Sequence, residues 1–76
     1  MDVKNFNLLD GGFVPQENGV TMKVEISDDG LTWSEVETLI LPAKHFQVEY
    51  ETKLTKDFIR FKADKRTSAL LYLKEE

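Results

Sequence analysis

The sequence predicts an all-β chain, folded as a small antiparallel sandwich or a jelly-roll-like domain. Apolar residues recur at every second position in several short runs, and Gly- and Asp-containing turn clusters separate those runs. No segment sustains a convincing helical period. At 76 residues the chain makes one small domain, read as an N-terminal segment with loops over 1–19 and a hairpin-rich core over 20–76.

In "VTMKVEIS", Val20, Met22, Val24 and Ile26 share one face, while Thr21, Lys23, Glu25 and Ser27 share the other. That period of two marks a half-buried strand. "HFQVEYE" repeats it, with Phe46, Val48 and Tyr50 inward and His45 on the polar face. "FIRFKA" places Ile59, Phe61 and Ala63 inside, and "ALLYLKE" forms the last strand. "TWSEVETLIL" is the one stretch with a helical rival, since Thr32 and Glu35 mimic a capping box. It follows a hairpin signal and ends at Pro42, so it reads as a strand. The predicted core is Val24, Ile26, Trp33, Val36, Phe46, Val48, Ile59, Phe61 and Leu71.

Charge is unevenly spread. Residues 1–37 carry two lysines against eight acids, and residues 38–76 carry eight bases against six acids, so −6 and +2 make the net −4. That acidic total argues against nucleic acid as the main partner, because neutralising phosphates needs clustered Lys and Arg, and Lys62, Lys65 and Arg66 are the nearest approach to a cluster. No apolar run is long enough for a membrane-spanning helix, so no membrane partner is expected. The N-terminus lacks the basic and apolar regions of a signal peptide, and synthesis in a cytoplasm is expected. There is no cysteine and one histidine, so neither a disulfide nor a zinc site staples the chain.

The stretch "SDDGLTW" is the strongest local signature. Asp29-Gly30 predicts a type I′ hairpin turn, with Ser27, Asp28 and Thr32 bonding turn backbone and Trp33 covering the open end. Calcium would need further ligands at spacings absent after Gly30. A sialidase-type Asp-box needs one more residue between serine and tryptophan, and repeats that this chain lacks.

"KVEISDDGLTWSEV" and "TKDFIRFKAD" together resemble discoidin-like domains, the C-type domains of coagulation factors V and VIII. The first matches the family's strand followed by "SxDGxxW". The second matches its strand near "ARYVRF", with Phe58, Ile59, Arg60 and Phe61 at corresponding positions and Asp57 where the family has arginine. The likeness covers about residues 22–76. It implies β-sandwich scaffolding, in which the tryptophan and the Ile59-Arg60-Phe61 core are mainly structural. Many members bind glycans or phospholipid head groups through loops in a first half that has no counterpart here.

No residue pattern supports catalysis. Ser27, Ser34 and Ser68 lack a nucleophile-elbow context, no glycine-rich loop precedes a helix, and His45 stands alone. No catalytic residue, metal or cofactor is expected. "LIL" at 39–41 directs attention to protein partners, because Leu39 and Leu41 oppose Ile40 on a strand and a two-layer sandwich buries only one face. The expectation is a protein–protein interaction or assembly module that meets itself or a larger assembly through Leu39, Ile40 and Leu41. A structural or decorating subunit of a particle such as a virion is one such role. A small glycan-binding module is the alternative.

Overall fold

The structure, a computed structural model, describes residues 7–75. Six strands follow one another: β1 (Leu8–Pro15), β2 (Val20–Ser27), β3 (Ser34–Leu41), β4 (Val48–Lys53), β5 (Phe58–Ala63) and β6 (Thr67–Lys74). They form two three-stranded sheets in the orders β4-β1-β6 and β3-β2-β5. Every pairing is antiparallel. The fold is therefore a small all-β sandwich, as the alternation predicts.

The two inner faces meet over Phe13, Val20, Met22, Val24, Leu41 and Tyr50, with Leu39, Val48, Ile59, Phe61 and Leu71 packed around them. Phe13 lies at its centre. Its ring centroid is 5.6 Å from that of Tyr50 in its own sheet and 5.3 Å from that of Phe61 in the other. Tyr50 and Phe61 complete the triangle edge-to-face at 5.7 Å. Tilted and edge-on rings align the positive rim of one with the negative face of the next, so this cluster ties the sheets with orientation as well as area.

The N-terminal segment 1–19, read from the sequence as carrying loops, supplies β1, the middle strand of its sheet. "DGG" at 10–12 is strand and not turn. Leu9, Gly11, Phe13 and Pro15 lie on the inner face, and Gly11 breaks the apolar alternation because it has no side chain. Its φ of +149° and the Leu70 carbonyl pressed against the site of a Cβ both require glycine. Tyr50 and Leu71 are the cross-strand partners of Gly11 in the two neighbouring strands.

The topology also differs from a hairpin-rich core. Only β2 and β3 are neighbours both in sequence and in a sheet, and the other four connections cross between sheets. β4 begins at Val48, so His45 and Phe46 belong to the connecting turn and Phe46 is 65% exposed. His45 adopts φ 65° there, with its backbone N–H donating to the Pro15 carbonyl at 2.8 Å. Val36 is likewise outside the core, at 55% exposure. Val24 pairs with Glu37 and Glu25 with Glu35, which leaves Val36 as the extra residue of a β-bulge. A bulge shifts the alternation by one and returns Val36 to the solvent face.

Candidate functional site

Two places carry the residues singled out in the sequence: the loop from Ser27 to Trp33, and the outer surface of β3.

The loop spans the six residues 28–33 between β2 and β3, so the predicted two-residue type I′ turn does not form. Gly30 has φ 77°, whereas Asp29 is not among the residues with positive φ. Side chains hold the chain reversal together. Ser27 Oγ, buried at the end of β2, accepts from the backbone N–H groups of Asp29 at 3.3 Å and Gly30 at 2.9 Å. The same hydroxyl donates to Asp29 Oδ1 at 3.0 Å, and that oxygen accepts from the N–H groups of Leu31 at 2.8 Å and Thr32 at 2.9 Å. Those bonds, from Thr32 first and Leu31 next, hold the Asp29 carboxyl below the usual aspartate range. Asp28 pairs instead with Lys56 at 3.1 Å. The cleft bounded by Ser27, Asp28, Asp29, Thr32 and Lys56 has a volume of about 170 Å³. Among the described residues, no group of three or more His, Asp or Glu side chains is arranged to hold a metal ion.

Trp33 is half-buried and lies outside the inter-sheet core, which corrects its predicted place. Its ring meets Phe58 edge-on at 6.5 Å, and the Arg60 guanidinium sits 3.9 Å from its centroid. Arg60 in turn donates from Nε to Glu25 Oε1 at 2.8 Å, across a register pair of β2 and β5. That bond holds the Glu25 carboxyl below its ordinary range, against the opposing effect of desolvation. The sequence elements "SDDGLTW" and "FIRF" are thus physically joined through Trp33, Phe58 and Arg60. Ile59 and Phe61, on the other face of β5, are half-buried and pack against the core.

On β3 the three aliphatics separate cleanly. Leu41 is fully buried, and Leu39 is half-buried with its side chain packed on the core. Ile40 is the outward member, 63% exposed, on the same outer face as Val36. Thr38 lies between them and donates through Oγ1 to Glu35 Oε1 at 2.7 Å. At the inner rim Tyr50 donates to Glu37 Oε2 at 3.1 Å, and burial pushes the Tyr50 hydroxyl above its usual range.

Sequence reasoning overlooked the exposed apolar residues of β6, namely Leu70, Tyr72 and Leu73. The available signal was "TSALLYL", a stretch with no charge. No protein-family model matches the chain, and searches of curated proteins and of solved structures find no significant match. The likeness to discoidin-like domains therefore rests on its two short motifs alone.

Proposed function

We propose that the chain is a non-catalytic protein–protein interaction or assembly module, a structural or decorating subunit that docks through the outer face of β3. One observation carries this proposal: Ile40 is 63% exposed on a strand whose neighbouring side chains, Leu39 and Leu41, are anchored in the core. A β-branched aliphatic on an anchored strand has few rotamers to lose when a partner covers it. Val36 extends the apolar centre, while Glu35, Thr38, Thr21 and Lys23 on the same outer face supply a polar rim. Apolar centre and polar rim is the usual anatomy of a protein interface.

The glycan-binding alternative would rely on Trp33 and the neighbouring cleft. That ring is already engaged by the Arg60 guanidinium over one face and by Phe58 at a steep angle, which favours a structural role. A photo-crosslinking amino acid at position 40, compared with one at the exposed loop residue Glu17, tests the proposal in the cells that make the protein. A discrete protein adduct from position 40 and none from position 17 is the expected outcome. Absence of an adduct from position 40, together with selective binding on a glycan array, would favour the alternative.

A further inference from the structure

Among the described residues four strands lie at sheet edges: β3 and β5 in one sheet, β4 and β6 in the other. An edge strand exposes unpaired N–H and C=O groups, and proteins normally guard it with charge, proline or a bulge. β3 has Glu35, Glu37 and its bulge, and it stops at Pro42. β4 carries Glu49, Glu51 and Lys53, and β5 carries Arg60 and Lys62. β6 has none of these protections from Thr67 to Leu73.

The apolar side chains of β6 are exposed as well, although the Tyr72 hydroxyl donates to Asp10 Oδ2 at 3.1 Å. Leu70 and Tyr72 stand on the outer face, with Leu70 77% exposed. Ala69 and Leu73 are also exposed, although their register partners, Phe13 and Leu9, are buried inner-face residues. The opposing sheet therefore leaves the inner face of β6 partly uncovered.

We propose that β6 is a self-pairing edge, on which a second copy of this chain lays its own β6 antiparallel. The two sheets would then join in the order β4-β1-β6-β6-β1-β4. From Thr67 to Leu73 β6 is uncharged and carries apolar residues on both faces, so a second copy of the same strand meets this stretch without setting a charge against it. Two-fold symmetry makes such a contact self-complementary. It also requires opposed residues to share a sheet face, which leaves registers centred on Leu70, Leu71 or Tyr72 among the central positions. Centring on Leu70 sets Arg66 against Lys74, a repulsive pair, and centring on Tyr72 sets Leu70 against Lys74. Centring on Leu71 sets Leu70 against Tyr72, Ala69 against Leu73 and Lys74 against Ser68. That register opposes no like charges and brings the exposed apolar residues together.

This contact goes beyond the docking proposed for β3 and lies on the other sheet, so either can fail alone. Sedimentation equilibrium of the purified chain and three variants tests it. The wild type is expected to be a dimer, and L70K/Y72K a monomer, because lysines then oppose lysines in both cross-strand pairs. L70E/Y72K is expected to dimerise again, since positions 70 and 72 of the two copies then carry opposite charges. It alters the same two exposed side chains, so any shared folding defect appears in both far-ultraviolet spectra. Ile40→Lys is expected to leave the dimer intact. A monomeric wild type, a dimer that survives L70K/Y72K, a monomeric L70E/Y72K or a dimer lost with Ile40→Lys would each overturn the proposal.

Discussion

Ser27 and Asp29 do with side chains what a tight turn would do with backbone alone. Between them they accept from the N–H groups of Asp29, Gly30, Leu31 and Thr32, which the loop would otherwise leave without partners. Ser27→Ala removes a buried hydroxyl with three contacts and should cost about 1–3 kcal/mol, read from chemical denaturation. Asp29 and Glu25 make stability depend on acid, because each binds its proton more weakly folded than unfolded. Their contribution is complete above the ordinary carboxylate range and is lost as pH falls below about 4 through the lower folded values. Melting temperature followed from neutral pH to pH 3 should therefore fall less steeply for Asp29→Asn than for the wild type, whereas identical slopes would contradict this role. Trp33 changes standing once its place is known. Outside the core, its removal should cost about 1–2 kcal/mol, smaller than for a fully buried ring, and Trp33→Ala should remain folded with β-type circular dichroism.

At the level of the element, β1 decides whether its sheet exists, because among the described residues both β4 and β6 pair only with it. Gly11→Ala would push a methyl group into the Leu70 carbonyl at a φ that L residues rarely adopt. The expected loss is about 3 kcal/mol or more, enough to unfold so small a domain, and a variant that melts like the wild type would contradict the close approach. This strand was hidden in the sequence by the glycines that make it possible, since Asp10-Gly11-Gly12 has the composition of a turn. The uninterrupted alternation of β2 was legible because Val20, Met22 and Val24 keep one face throughout. The alternation of β3 was legible only from Thr38 onward: the bulge at Val36 depends on pairing with β2, and nothing in "SEVETLIL" announces it. Phe46 was misplaced for a related reason, as its apparent period of two runs on into a turn closed by the bond from His45 to Pro15.

For the whole molecule, the all-β class was readable from alternation, but the partners of each strand were not. Connections of three to six residues usually suggest hairpins, yet four of the five here carry the chain across to the other sheet. That routing brings Phe13, Tyr50 and Phe61, far apart in sequence, into one cluster between the sheets. The candidate site was legible in part for the same physical reason. "LIL" shows that one aliphatic must face away from the core, and strand phase then makes Ile40 that residue, while Leu39 and Leu41 serve the interior. The proposed assembly role rests on the large apolar residues that so small a chain leaves outside its core. The direct test is the mass at which the protein runs when recovered from the cells that make it, by size-exclusion chromatography with light scattering. The account predicts wild-type chain in a complex well above twice its own 8.8 kDa, and Ile40→Lys released from that complex with its β-type spectrum intact. Wild-type chain recovered only in its free form, or an Ile40→Lys variant that stays in the complex undiminished, would contradict it.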